Sequence, residues 1–315
     1  MMKNDIRKFK SDIVKYYEIS LNDMVNLTEN SFIVNDENGN SFFVKETIPN
    51  ALEKYHFLRN QSCNNILFPI LNKNDKFVTR FDSKAIYVNN YYKTFNVKDE
   101  LRASNMLKEL RNLHKTTSFK RQLNPMNARP KFEEITNRLD YQFRLLEDYV
   151  RSVESRDLNE YSMQILSNYQ YILDAKRELV RLQKRIISSV KAKDGVEYNY
   201  IHNNPRLDHL LNIKGCYYLT SVEKGKIGIS SLDLAKLYIE NENLNIDYKS
   251  MFHEIFKNEN NPFYYDYFRY LILLIYIRRM NISNFDYING NVFITTAISI
   301  KKYFDTFSDY QEDIS

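Results

Sequence analysis

One stretch of this sequence has the spacing of a loop that carries out phosphoryl transfer. His202, Asn204 and His209 stand where such a loop has the pattern His-x-Asp-x-x-x-x-Asn. In that pattern the Asp accepts the proton of the attacking hydroxyl group, and the Asn holds a metal ion. Here an amide stands at the position of the base and an imidazole at the position of the metal ligand. The frame of the loop is present, but its two reactive groups are replaced.

The first part of the chain predicts a β-rich region that would form one side of such a site. Two apolar runs flank the polar segment 35–40, which is typical of a hairpin turn. The turn that joins the next two predicted strands lies at Asp82 and Ser83. The predicted elements are strands at residues 31–34, 41–44, 76–81 and 85–91 and a helix at residues 51–59.

The pattern becomes helical after residue 96. Leu101, Met106, Leu107, Leu110 and Leu113 recur at helical spacing and predict a helix over residues 100–114. Beyond breaks predicted at Pro125 and Pro130, apolar stripes predict long amphipathic helices at residues 132–153 and 158–190. Packing of these stripes inside the same domain is the favoured interpretation. Their use as a coiled coil or as a partner-binding arm stays open.

These elements predict an α+β protein with two lobes. Residues 1–95 would form a small β-rich N-terminal lobe, and residues 96–315 a larger, mostly helical C-terminal lobe. The second lobe would contain a long helical insertion, 131–190, and the altered loop region, 202–223.

Composition excludes several classes of protein. The net charge is +5, with 45 basic and 40 acidic residues well mixed, so no basic stripe indicates nucleic-acid binding. The longest apolar run has seven residues, 271–277, which is too short to span a bilayer. Cys63 and Cys216 match no metal-binding spacing and fit a reducing compartment. The sequence predicts a soluble, cytoplasmic protein.

The order of elements and the loop spacing resemble the aminoglycoside phosphotransferase and choline kinase family. Within it, the bacterial spore-coat kinase-like group is the most similar, because that group also has a long helical insertion before the catalytic loop. The resemblance covers residues 24–238. It implies a bilobal protein kinase-like fold, with a ligand site in the cleft between the lobes, and it suggests a spore-associated role.

The resemblance assigns nucleotide-binding roles to four residues of the N-terminal part. Lys45 matches the strand-end lysine that contacts nucleotide phosphates, although an ordinary strand-end lysine has the same pattern. Glu53, on the next helix, matches the ion-pair partner of that lysine. Asn30, in Thr28-Glu29-Asn30, lies where the family has its phosphate-covering loop, here without glycine. Tyr91 lies at the predicted hinge and would line a nucleotide pocket.

The resemblance also places the remaining positions of the catalytic region. His202 matches the loop histidine, and Ser221 falls where the family has its second metal-binding Asp. Asp233, twelve positions later, belongs to the Asp-Leu-Ala motif and would support the loop by hydrogen bonding. A helix start with an Asp cap would give the same motif.

The chemistry of the replaced positions predicts a pseudokinase. The amide of Asn204 cannot act as a general base, which is typically worth about 10²–10⁴ in rate. Ser221 offers Mg²⁺ no carboxylate, and the imidazole of His209 suits zinc, copper or nickel better. ATP is the expected cofactor, and we do not expect tight binding of Mg²⁺ or Mn²⁺.

Two other functions remain open at this point. Asp208 and Glu223 could form a displaced metal site, which would make the protein an active small-molecule kinase that phosphorylates a hydroxyl group. A metal pair of His202 and His209 is a weaker option. Alternatively, the long helices could be the interaction arm of an unrelated fold.

A pseudokinase would act as a scaffold or as a ligand-binding protein. Its partner would be an unidentified protein or a small molecule. The long helices could also pair across a homodimer.

Overall fold

The computed structural model describes residues 13–81, 84–93, 97–122, 125–156, 159–190, 195–257, 261–281 and 287–307. The chain divides into two compact units. The first comprises Met1–Ser118 and Asn199–Gly228, and the second comprises Phe119–Tyr198 and Ile229–Ser315. The boundary predicted between residues 95 and 96 lies outside the described residues and stays a prediction. All three altered positions, 204, 209 and 221, belong to the first unit.

The first unit is built on an antiparallel five-stranded sheet. Its order is β1-β2-β3-β5-β4, with β1 Leu21–Thr28, β2 Ser31–Asp36, β3 Ser41–Thr47, β4 Thr79–Phe81 and β5 Lys84–Asn90. The strands predicted at residues 31–34, 41–44 and 85–91 and the hairpin between β2 and β3 are confirmed, whereas the strand predicted at 76–81 is limited to Thr79–Phe81 and β1 was not predicted. In the hairpin turn, Asp36 accepts hydrogen bonds from the backbone N–H groups of Asn38 and Asn40. The turn predicted at Asp82 and Ser83 lies outside the described residues.

Strand alternation decides which way Lys45 points. Its neighbour Val44 is 0% exposed and belongs to the apolar cluster on one face of the sheet, together with Val34 and Val88. Successive side chains on a strand point to opposite faces. Lys45 therefore points away from that cluster, in register with Ser31 on β2 and Tyr87 on β5.

The first unit also contains a short helical stretch at residues 13–17, two longer helices and a return segment. Helix α1, Ala51–Asn60, and helix α2, Asp99–Thr116, confirm the predictions for residues 51–59 and 100–114. Leu101 is the exception in the predicted stripe of α2, because it is 54% exposed. The return segment holds the hairpin of β8, Leu210–Ile213, and β9, Cys216–Leu219, with 3-10 turns at Leu207–His209 and Val222–Lys224.

The second unit is mostly helical. Its helices are α3 Pro125–Glu154, α4 Glu160–Val190, α5 Ser231–Asn241, α6 Tyr248–Phe256, α7 Pro262–Arg279 and α8 Tyr287–Phe307. A small sheet contains β6, Phe119–Arg121, beside β7, Val196–Ile201, which runs on into the first unit and pairs there with β10, Lys226–Gly228. The predicted break at Pro130 is wrong, because this residue lies inside α3. Pro130, the sixth residue of α3, removes one backbone hydrogen bond and crowds the carbonyl four residues earlier, but it does not end the helix.

The long helices pack within their own unit. The centre of the apolar face of α4 is buried, and α4 contacts α3, α7 and α8. Its buried residues include Ile165, Ile172, Leu179, Leu182 and Ile186. Leu158, where the helix was predicted to begin, lies outside the described residues. None of the helices in the described part of the chain is long and apolar enough to cross a membrane.

Candidate functional site

The candidate site of the first unit is organised around the side chain of Lys45. Its Nζ lies 2.6 Å from Oε1 of Glu223 and donates a hydrogen bond of 2.9 Å to Oγ of Ser221. The Lys45 side chain is 19% exposed, whereas that of Glu223 is 4% exposed. Two residues of the predicted metal-binding segment are therefore bound to the predicted phosphate-binding lysine.

A second lysine reaches the same segment from α1. Lys54 Nζ donates a hydrogen bond of 2.6 Å to the backbone carbonyl of Glu223. The hydroxyl of Tyr200 donates to the carbonyl of Val222 at 2.8 Å, which fixes the turn from the other side. Ser221 has a φ of 58°, so the chain enters this turn through a left-handed residue that is not glycine. A non-glycine residue in this conformation is held by its surroundings.

Two tyrosines enclose the Glu223 carboxylate. The Tyr55 hydroxyl lies 3.5 Å from Glu223 Oε2, and the Tyr87 hydroxyl forms a hydrogen bond with Ser221. Burial raises the pKa of both phenols well above the ordinary value, and the nearby charge of Glu223 acts in the same direction. Both hydroxyl groups therefore remain protonated and can donate hydrogen bonds.

The predicted ion pair between Lys45 and Glu53 is wrong. Glu53 is 63% exposed and binds Arg80 at 2.6 Å, on the surface. The buried face of α1 carries Ala51, Tyr55 and Leu58, which are spaced four and three residues apart. Glu53 lies two positions from Tyr55 and so points away from that face. Glu223 takes the place that the resemblance gave to Glu53.

The two histidines of the altered loop form hydrogen bonds with backbone groups and so hold the loop in place. His202 is 0% exposed; its Nε2 lies 2.7 Å from the carbonyl of Thr220, and its Nδ1 accepts the N–H of Asn204 at 3.3 Å. His209 Nδ1 lies 2.8 Å from the carbonyl of Asn204, to which it donates. The two rings stack with centroids 5.7 Å apart. Since both nitrogens of His202 are engaged, the predicted metal pair of His202 and His209 is not formed.

His209 is held in its neutral form. Burial lowers the pKa of its imidazole to about 4, and the positive charge of Lys45 contributes to the shift. A neutral imidazole adds no charge to the site, and its Nδ1 proton is committed to Asn204. At this position the resemblance implies a metal-binding Asn. Here it is occupied by a neutral imidazole whose hydrogen bond to Asn204 stabilises the loop.

Asp208, the other half of the predicted displaced metal site, faces away from this arrangement. Its two carboxylate oxygens accept hydrogen bonds of 3.1 Å from Arg206, and the side chain is 57% exposed. Each carboxylate of the predicted pair thus has its own cation. Within the described residues, no group of three or more His, Cys, Asp or Glu side chains is placed to hold a metal ion.

We expect Asp208→Asn to change little. An exposed ion pair typically contributes less than about 1 kcal/mol, so the free energy of unfolding should fall by no more than that amount. Urea denaturation and calcium, magnesium and manganese titrations of the variant would check this. Loss of metal binding in this variant would show that Asp208 is a ligand after all.

Three other predicted residues occupy ordered backbone positions, and their functional roles stay predictions. The N–H of Asn30 donates to Thr28 Oγ1 at 3.3 Å, in a tight turn between β1 and β2 whose residues lack a positive φ. The turn therefore needs no glycine. The N–H of Tyr91 donates to the carbonyl of Ser41 at 2.9 Å. Asp233, in the first turn of α5, is 0% exposed.

Sequence reasoning missed Lys54, Tyr55 and Tyr87 as members of the site. A signal existed for Tyr87, because the predicted alternation of β3 and β5 puts it on the same face as Lys45 once the register is known. For Lys54 and Tyr55 there was no comparable signal. Their role depends on a segment that is 168 or more residues away along the chain.

Comparison with known proteins gave matches of fold only. No family model matches the sequence, and no curated protein has a detectably similar sequence. An aminoglycoside phosphotransferase from Alicyclobacillus acidocaldarius has a similar structure, with a TM-score of 0.66 and 11% identity over 95% of this chain and 94% of that one. An AMP-bound spectinomycin phosphotransferase gives 0.57 and 15%, over 95% and 93% of the two chains. A choline kinase from Streptococcus pneumoniae gives 0.53 and 14%, over 96% and 99%.

The chain therefore has the α+β, protein kinase-like fold of aminoglycoside phosphotransferases and choline kinases, as the resemblance implied. It combines a small antiparallel sheet with a larger helical part. The hypothesis of an interaction arm on an unrelated fold is wrong. Because identities of 11–15% establish the fold alone, the activity has to be argued from the site.

Proposed function

We propose that this protein is a pseudokinase, which uses a kinase-like fold to bind a ligand or a partner protein without transferring phosphate. The observation that carries the proposal is the ion pair between Lys45 and Glu223, at 2.6 Å. An ammonium group lies against the buried carboxylate that would otherwise be offered to a metal ion. Phosphoryl transfer depends on metal ions that neutralise the charge on the transferred group.

The chemistry at the other positions supports the same function. Asn204 offers an amide in place of a general base, His209 is neutral with its Nδ1 proton committed, and the Ser221 hydroxyl accepts a hydrogen bond from Lys45. No one of these replacements need abolish activity by itself. Together they leave no carboxylate at the three positions to supply negative charge to a metal ion, and the His209 imidazole, whose pKa burial lowers to about 4, is only a weak base at neutral pH.

ATP is the ligand that best fits the proposal. A structurally similar spectinomycin phosphotransferase binds AMP, which supports a nucleotide as the occupant of a related site. Lys45, Asn30 and Tyr91 would contact that nucleotide. A spore-associated role and a homodimer remain part of the proposal, and cell fractionation and light scattering would test them.

The decisive experiment measures ADP formation by the purified chain with ATP and either Mg²⁺ or Mn²⁺. Choline, spectinomycin and other aminoglycosides would be the trial acceptors, and a choline kinase would serve as the positive control. We expect no ADP above the level without protein, because the three altered positions offer neither a carboxylate base nor a carboxylate ligand for a metal ion. Turnover with any acceptor would overturn the proposal.

The active-kinase alternative makes a different prediction for two variants. If Glu223 is a displaced metal ligand, Glu223→Gln abolishes turnover, and Asp208→Asn weakens it. In a pseudokinase neither variant alters ADP formation. The matched pair Asn204→Asp and Ser221→Asp shows whether restoring the carboxylates restores metal-dependent turnover. Activity of the wild type that disappears in Glu223→Gln would establish the alternative.

A further inference from the structure

We infer that Lys45 and Lys54 bind the phosphate groups of a nucleotide directly, without a divalent metal ion. The inference rests on the proposed function and names the chemistry of its ligand site. Both ammonium groups are bound to the same residue, Lys45 to the carboxylate of Glu223 and Lys54 to its backbone carbonyl. Both therefore lie within hydrogen-bonding distance of Glu223, in the segment where the resemblance places a metal ion.

The two lysines have hydrogen-bonding capacity that the protein does not use. An ammonium group has three donors. Within the described part of the chain, Lys45 has two acceptors, Ser221 Oγ and Glu223 Oε1, and Lys54 has one. The remaining donors of both lysines suit a ligand with several acceptor oxygens close together. A phosphate or polyphosphate group is such a ligand, and hydrogen bonds between charged groups are the strong ones.

The charges of the site favour an anion over a cation. Two ammonium groups face one carboxylate, while Ser221 and Asn204 are neutral and His209 is uncharged because burial lowers its pKa to about 4. A Mg²⁺ ion prefers several oxygen ligands, including carboxylates that offset its dehydration. At this site it would have to displace Lys45 from the carboxylate of Glu223, and Lys54 already occupies the backbone carbonyl of the same residue. The same lysines attract a polyphosphate.

Partial burial of Lys45 and Lys54 strengthens their attraction for a polyphosphate. The Lys45 side chain is 19% exposed, and burial lowers the pKa of the Lys54 ammonium, while the charge of Glu223 opposes this shift. Both groups are thus partly removed from water yet still reachable. Interactions of charges in such a position are screened less by salt than those on the open surface. A bound polyphosphate would compensate the ammonium charge that Glu223 leaves unmatched.

Calorimetric titration of the full-length protein with ATP tests this inference. We expect ATP to bind in EDTA at least as tightly as in excess Mg²⁺, because the metal cancels part of the negative charge that the lysines recognise. Lys54→Gln should weaken binding about tenfold or more in EDTA, since a charge-assisted hydrogen bond is lost. Lys54→Arg keeps the charge and should stay within about threefold of the wild type.

A matched control and a second ligand make the result specific. Lys73→Gln removes a lysine of the same unit that pairs with Glu18 on the surface, at 3.4 Å, and should leave ATP affinity within about twofold. Pyrophosphate should compete with ATP, and adenosine should not. Unchanged thermal unfolding of Lys54→Gln would show that its loss of binding is not a folding defect.

Three results would overturn the inference. They are ATP binding that requires Mg²⁺, equal affinity of Lys54→Gln and the wild type, and no binding of either ATP or pyrophosphate. None of them bears on whether the protein transfers phosphate, which the ADP assay measures separately. Detection of ADP formation would overturn the pseudokinase proposal whatever the titrations show.

Discussion

Replacement of Lys45 by Met should lower the free energy of unfolding by about 3–5 kcal/mol, the usual cost of leaving one member of a buried ion pair alone. Glu223 is 3% exposed, and its carboxylate has Lys45 as its counter-ion at 2.6 Å. After the substitution, the nearest donor in the described structure is the Tyr55 hydroxyl at 3.5 Å, which is too long for a strong hydrogen bond. Met keeps the length and apolar stem of the side chain. Urea denaturation at pH 7 gives the change.

A double-mutant cycle separates the charge from the packing. Glu223→Gln added to Lys45→Met should recover much of the loss, because a neutral amide needs no counter-ion. Lys73→Met is the matched control, since this lysine forms an exposed pair with Glu18 and should cost less than about 1 kcal/mol. If Lys45→Met were as stable as Lys73→Met, the Lys45–Glu223 pair would contribute nothing, and the pseudokinase proposal would lose its main support.

Acidification should destabilise the protein through His209, by on the order of 2 kcal/mol between pH 7 and pH 4. Burial lowers the pKa of this imidazole from 6.5 in the unfolded chain to about 4 in the folded one. The unfolded state therefore binds more protons in that range. Stability is fully present above pH 6.5 and is lost as the pH falls toward 4. Protonation would place a second positive charge close to Lys45.

His209→Asn isolates this contribution. The Asn side chain can still donate to the carbonyl of Asn204, which His209 reaches at 2.8 Å, but it does not titrate. The difference between the unfolding free energies of wild type and variant should be nearly constant above pH 7 and should shrink or reverse as the pH falls. If the unfolding free energies of the wild type and of His209→Asn changed in parallel down to pH 4, His209 would be as accessible to protons in the folded protein as in the unfolded one.

The sequence by itself determined the elements and the frame of the altered loop. Apolar alternation placed β2, β3 and β5 but missed β1, and helical periodicity placed α1, α2 and the body of the long helices, because these patterns depend on neighbours along the chain. It also determined what Asn204, His209 and Ser221 cannot do, since the chemistry of a side chain needs no structure. The resemblance then implied the kinase-like fold, which structural neighbours bear out.

Only the tertiary structure decided which charges meet. Lys45 binds Glu223, which is 178 residues away, while the nearer Glu53 turns to Arg80 on the surface. Asp208, predicted to join Glu223, pairs instead with Arg206 two residues before it. Periodicity fixes the face on which a residue lies but not the segment that covers that face. The partner of a buried charge depends on the packing of segments far apart in sequence, because a charge that loses water has to find its counter-ion among them.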